Sequence, residues 1–422
     1  MRLERTTSDT KFIHSGQKSN TMSPSRRSFL ATAACGVSIS SAGCTDLSHS
    51  IRERRLGPPE RTVPVDWVPE PGTWPLPAYD AGRSATNPHA EPPRSPPRAS
   101  WSWDADGRIS SLVVVDGTVY AAVDETVVAL DPNDGTETWS RTVETYGSGL
   151  AAIADRLYSF GGGVTALTLD GELAWTTRLD LFTHGFLERD GWLFVGDVSG
   201  EFRRLHADTG DVVEAKTLEG ALAGVATDGD LLYGVGRREL YAYAVTDGQL
   251  DRHFEIDADD HGASAHDHLL SPAVADGRVY LARQLERDGI DDGVVAVHDG
   301  TSGDRLDQVE FTPRPRHPVV DDETVFVTAS VGELAELFRL DEGDVTWRYE
   351  PDGPEGLRSP ISTGETVLVH ATNHDRPVIA FDAESGEELW RRDIDADGPL
   401  IAVDDVVYVG TRDGIATLRA DG

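Results

Sequence analysis

The chain has 422 residues and carries 73 Asp plus Glu against 38 Lys plus Arg, a formal charge of −35 at pH 7. That balance excludes nucleic acid as a partner, because phosphates would be repelled rather than neutralised. It also excludes an anionic lipid surface as a docking face for the body of the protein.

Hydrophobic residues make up 39% and charged residues 26%, which suffices for a packed core. The lysines are Lys11, Lys18 and Lys216; every other cation is an arginine. A surface rich in Asp and nearly free of Lys stays hydrated and self-repelling. In molar salt the Debye length falls to about 3 Å, so the repulsion costs little stability. This composition resembles that of proteins from salt-loving archaea. The two cysteines, Cys35 and Cys44, are both near the N-terminus. The body therefore holds no disulfide and no thiolate metal site.

In chain order, the first feature is an address. Ser25-Arg26-Arg27-Ser28-Phe29-Leu30 is a twin-arginine motif, followed by an apolar stretch from Phe29 to Ile39 and then by Ser41-Ala42-Gly43-Cys44. A charged start, a short apolar run and small residues before a boundary predict an export signal over 1–44, too short to stay in a bilayer. Arg26 and Arg27 mark the Tat route, which carries folded proteins. Ser-Ala-Gly-Cys resembles a lipobox, with Cys44 as the lipidated residue. Met1 and Met22 are both candidate starts. The expected location is the outer face of the cytoplasmic membrane.

Residues 45–97 show no hydrophobic periodicity and are dense in proline, including Pro58-Pro59, Pro92-Pro93 and Pro96-Pro97. Such a segment predicts an extended, semi-rigid stalk. Within it, Trp74-Pro75-Leu76-Pro77-Ala78-Tyr79-Asp80-Ala81-Gly82-Arg83-Ser84 stands apart as a stretch able to pack on the rim of the domain that follows.

Residues 98–422 repeat. The clearest unit runs Val115-Asp116-Gly117-Thr118-Val119-Tyr120, Val127-Val128-Ala129-Leu130-Asp131, then Gly135-Thr136-Glu137-Thr138-Trp139. Gly171 with Trp175, Gly343 with Trp347 and Gly386 with Trp390 repeat the last part, and weaker copies centre on Gly210, Gly248 and Gly303. The glycines recur about every 36 to 43 residues, with one gap of about 55, which is the period of propeller blades. Asp116-Gly117, Asp190-Gly191, Asp228-Gly229 and Asp276-Gly277 are hairpin turns, and the β-branched and aromatic runs after them are strands. Each Trp starts an outermost strand and can dock between blades. The chain's last stretch, Ala416-Thr417-Leu418-Arg419-Ala420-Asp421-Gly422, stops at the turn glycine, and its missing Trp strand stands near Trp101 and Trp103. The pattern predicts an all-β propeller of about eight four-stranded blades, closed when an N-terminal strand completes the C-terminal blade.

Three polar stretches lie off the repeat. His261, His266 and His268 are weak metal candidates in a loop between blades four and five. Arg287–Gly293 reads as an acidic hairpin, alternatively a loose calcium loop. Arg314-Pro315-Arg316-His317-Pro318 reads as a connection between blades, alternatively as a channel-facing anion site.

The pattern Ala-x-Asp-x-x-x-Gly-x-x-x-Trp resembles the repeat of the pyrroloquinoline-quinone (PQQ) propeller superfamily, over about three quarters of the chain. The resemblance implies one of two branches. Quinoprotein dehydrogenases carry adjacent cysteines, a Glu/Asn calcium shell and an Asp base, none of which has a matching motif here. The non-catalytic branch is similar to the lipoprotein propeller of the bacterial outer-membrane assembly machine and shares its size and lipidation. The expected function is a lipid-anchored, monomeric, extracytoplasmic platform binding proteins at the membrane surface, without catalytic residues. PQQ enters as a cofactor only through the resemblance. The alternatives are a PQQ-dependent oxidoreductase and an extracytoplasmic sensor domain.

Overall fold

Tight turns decide the local structure. Asp116 and Gly117 have φ of 50° and 64°, Asp190 and Gly191 52° and 78°, Asp276 and Gly277 49° and 69°. Two consecutive positive φ values match the right-handed twist of the flanking strands, so each Asp-Gly pair joins an antiparallel hairpin. The computed structural model describes residues 57, 59, 60, 63, 64, 66–144, 147–183, 185–197, 199–218, 222–236, 238–246, 249–257, 268–287, 290–331, 334–353, 355–372 and 375–421. All helix-or-strand structure among them is strand.

The strands form eight antiparallel sheets, each a blade. The first comprises Ile109–Val115, Thr118–Val123, Thr126–Leu130 and Glu137–Thr142, and the second Gly147–Ile153, Arg156–Gly161, Gly163–Thr168 and Leu173–Arg178. The third runs from Gly185–Arg189 to Val212–Thr217 and the fourth from Ala223–Thr227 to Gln249–Asp257. In the fifth the innermost strand comes in two pieces, His268–Leu269 and Ala273–Ala275, both paired with Arg278–Arg287. The sixth ends in Asp344–Tyr349 and the seventh in Glu388–Asp393. The eighth joins Ala396–Val403, Val406–Thr411 and Gly414–Arg419 to Arg98–Asp104, with Arg98 opposite Arg419 and Trp103 opposite Ile415. The fold is thus an eight-bladed β-propeller whose last blade takes its outer strand from the N-terminal side.

The repeat's Gly and Trp turn out to belong to neighbouring blades. Gly171 has φ +82°, and a Cβ placed on it would lie 2.6 Å from the Trp139 ring. Gly135 faces Trp101, Gly210 faces Trp175 and Gly386 faces Trp347 in the same way. Each indole also donates its Nε1–H to a carbonyl of that next turn: Trp101 to Pro132 at 2.9 Å, Trp139 to Leu169 at 3.2 Å, Trp175 to Ala207 at 3.0 Å, Trp347 to Ala383 at 3.1 Å. An aromatic ring from the second strand of the same blade completes the seat, with Tyr120 at 5.8 Å from Trp139 and Tyr158 at 6.0 Å from Trp175. The Trp of one repeat therefore reads the Gly of the next. Gly171→Ala is expected to cost about 1–3 kcal/mol, from the positive φ and the displaced indole together; urea unfolding measures it, and a neutral result would mean that the turn yields.

Buried residues lie in layers between blades rather than in one central core. Tyr120, Val127, Leu150 and Leu157 share one layer, between the first and second blades. Tyr158, Ala166, Leu193 and Leu205 share the next. Period-2 alternation gives every inner strand two apolar faces, one for each neighbour.

Candidate functional site: the capped central channel

The first strand of each blade lines the centre of the ring. Across one end of it runs the Pro-rich segment. Trp74 N donates to Val114 O at 2.8 Å and accepts at its own carbonyl from Val114 N at 2.9 Å. Ala152 N then donates to Pro75 O, Thr227 N to Ala81 O, Val274 N to Gly82 O, Val320 N to Ser84 O and Ser362 N to Ala85 O, all within 3.1 Å. Asn87 Nδ2 donates to Ala402 O at 2.9 Å, and Glu91 N to Asp404 O at 2.7 Å. Residues 74–91 thus bond in turn to the inner strands of seven blades, while Ala81 packs beside Leu187 of the remaining one. Proline has no N–H, and here the blades supply most donors and the segment the acceptors. Trp74 is 1% exposed and Tyr79 3%. Gly82 lies so close to the Val274 carbonyl that no Cβ fits.

Beneath this cap is a cavity of about 350 Å³ with an apolar wall that includes Leu112, Phe160, Phe186 and Leu400. Phe160 and Phe186 stack at 4.7 Å. Asp80 and Arg83 reach into it from the cap. Asp80 accepts from Ser84 N at 2.9 Å and Ser84 Oγ at 2.6 Å, and burial raises its pKa. Burial lowers Arg83 to about 10, against the pull of Asp80, and its Nε has no hydrogen-bond partner.

A basic stretch lies on the side of blades six and seven, outside the residues that line this cavity. Arg314–Pro318 is no simple connection between blades: Arg316 N donates to Thr328 O at 2.8 Å and Ser330 N to Arg314 O at 2.8 Å, so the stretch prolongs the sixth blade's inner strand. Thr328 Oγ1 in turn donates to Arg358 O at 3.0 Å, on the seventh blade. Arg316 and Arg358 stand side by side, and burial with the Arg358 charge lowers the Arg316 pKa. Burial and the Arg83 charge hold the His317 imidazole down to about 3. Its Nδ1 donates to Pro318 O at 2.6 Å, and its Nε2 is enclosed without a partner. The Asp397 carboxylate nearby is taken by Arg376 at 2.9 Å.

Arg26, Arg27, Cys44, His261 and His266 lie outside the described residues. His268 begins the inner strand of the fifth blade rather than lying in a loop, and no group of three or more His, Cys, Asp or Glu able to hold a metal exists among the described residues. Arg287 and Ile290 close a hairpin between long strands. Trp101 is 8% exposed, and Trp103 is partly buried against the core of the closing blade. Trp390 donates to Pro93 O. A quinone held with calcium needs clustered oxygen donors; no group of three or more His, Cys, Asp or Glu stands together among the described residues, and Asp80 in the cavity is taken by Ser84. The residues present do not fit that group. Arg316-His317-Pro318 and Arg358-Ser359-Pro360 repeat one Arg-x-Pro unit in the sequence, and in the structure the Arg358 charge acts on Arg316.

Solved structures share the fold. BamB from Moraxella catarrhalis is 16% identical, with 77% of this chain and 100% of that chain aligned at a TM-score of 0.58. The quinohemoprotein alcohol dehydrogenase of Comamonas testosteroni is 13% identical, with 83% and 81% aligned at 0.62. Sqt1 of Saccharomyces cerevisiae is 12% identical, with 77% and 99% aligned at 0.59. At these identities the likeness is one of fold. No curated protein matches the chain at a significant level. The family model described as outer membrane protein assembly factor BamB matches residues 123–287 and 291–422, most of the propeller, and the chain belongs to that family.

Proposed function

We propose that the protein is a non-catalytic, lipid-anchored propeller, exported by the Tat route, held by Cys44 to the outer face of the cytoplasmic membrane and acting as a monomeric platform for other proteins in a high-salt organism. The observation that carries this reading is the cap. Residues 74–91 bond to seven blades and cover one mouth of the channel, which stiffens the ring. A rigid ring presents its remaining loops and blade edges as a fixed surface, which suits protein recognition. The family's described role in assembly supports the same reading.

Crosslinking in intact cells, followed by identification of neighbours, tests it. Defined protein neighbours are expected, and Cys44→Ser is expected to move the protein out of the membrane fraction. The opposing outcome is turnover: dye reduction with alcohols or sugars by the purified protein supplied with PQQ and calcium in high salt would replace the platform with an oxidoreductase.

A further inference from the structure

The position held by Trp139 faces its own third strand just before a register shift, opposite Ala129. Trp175, Trp347 and Trp390 occupy the same register in their blades, and Phe254 does so in the fourth. Phe254 lies against Gly303 as the indoles lie against their glycines. Two blades lack the ring. In the third the position is Glu214, and Arg204, 1% exposed, pairs with it at 3.2 Å while lying 4.6 Å over the Trp192 ring.

In the fifth blade the position is Asp307, opposite Val297. The rest of the seat is intact. Tyr280, 2% exposed, stands where Tyr120 and Tyr158 stand, and Gly343, φ +84°, offers its bare Cα to Asp307. Between them is a cavity of about 380 Å³ walled by Val295, Val297, Val309, Val325 and Leu340. That size lies in the range of small-ligand pockets, about 300–1,000 Å³. At its edge Leu306 is 56% exposed. Asp307, Glu323 and Glu342 border it against one cation, Arg278, which lies 3.7 Å from Glu323. The slot is therefore shaped for a ring and negative at its rim.

We propose that the slot between the fifth and sixth blades receives an indole side chain of a partner protein, presented beside a basic residue. The occupant is identified by the chain itself, which fills the sister slots with indoles, and by the charge of the rim. This deepens the platform reading and rests on it for the existence of a partner.

The test uses the purified full chain and three probes: tryptamine, indole and indole-3-acetate. Thermal unfolding should shift upward and saturate, by about 2 °C at ten times Kd for tryptamine, less for indole, and least for indole-3-acetate. Asp307→Phe, which copies the Phe254 arrangement, should raise Tm by itself and abolish the tryptamine shift; should it not fold, Asp307→Leu takes its place. No saturable shift in the wild type, a shift that survives in the Asp307 variant, or equal binding of the anionic probe each overturns the proposal. Failure to find neighbours by crosslinking would leave a positive probe result standing, so the two readings fail separately.

Discussion

Trp101→Ala is expected to lower stability by about 3–5 kcal/mol, the largest loss among the repeat tryptophans. Its ring is 8% exposed. It seats on Gly135, donates to Pro132 O at 2.9 Å and lies edge-on to Tyr408 at 6.2 Å. The same residue anchors the strand that closes the ring: Trp101 N donates to Thr417 Oγ1 at 3.2 Å, and Ser100 Oγ lies 2.7 Å from that hydroxyl. Losing the seat loosens Arg98–Asp104 and exposes the edge of Gly414–Arg419, an unpaired edge open to pairing with other chains. Trp347→Ala removes an equivalent indole from inside the ring and leaves the closure alone; Trp103→Ala removes a ring that is only partly buried. Both should cost less, and neither should promote association. Urea unfolding and light scattering separate the three, and equal losses without aggregation would remove the special role of Trp101.

Much of this architecture was legible because its determinants are short. An Asp-Gly pair fixes a turn within two residues, and Gly-x-x-x-Trp marks a turn and the strand after it. What the repeat conceals is that the Gly and Trp of one unit contact different neighbours, since nothing in a one-dimensional period says which copy a ring reaches. For that reason Asp307 reads as a degenerate Trp, whereas in three dimensions it leaves Tyr280 and Gly343 facing a cavity. The cap was less visible still. Its contacts to six of the seven inner strands are backbone hydrogen bonds, which leave no side-chain pattern, and that to the seventh comes from Asn87 Nδ2; the available signal was Trp74 and Tyr79 standing in a stretch otherwise dense in proline. The Arg-x-Pro unit repeated at 316 and 358 marks two of the buried arginines, but nothing local in the sequence links them to Arg83.

Acid is expected to destabilise the fold from about pH 6.5 downward, through three buried histidines, of which burial holds His298 below its ordinary value and His317 and His370 furthest. His317 is held down to about 3 and His370 to about 4, in each case by burial first and then by a neighbouring guanidinium, Arg83 for the former and Arg358 for the latter. In the unfolded chain all three titrate near 6.5. Below that value the unfolded state binds protons that the folded state refuses, so the stability these residues contribute is complete above about pH 6.5 and declines as pH falls. The slope is about 1.4 kcal/mol per pH unit for each histidine until its folded pKa is reached. Four carboxylates act in the opposite direction: burial raises Glu188 to about 7 and also raises Asp80, Asp321 and Glu336, so all four favour the folded state as pH falls. Between pH 6.5 and about 5 the three histidines outweigh Glu188, and the other raised carboxylates flatten the remaining slope. His370→Gln, which keeps a neutral polar side chain of similar reach, should remove about 1.4 kcal/mol per pH unit from the slope, and Glu188→Gln should steepen it. Urea midpoints at pH 7, 6 and 5 at constant salt decide the matter. A His370→Gln profile parallel to the wild type would mean that the imidazole takes its proton without leaving its site, and the buried surroundings of His370 and Arg358 would then be open to water.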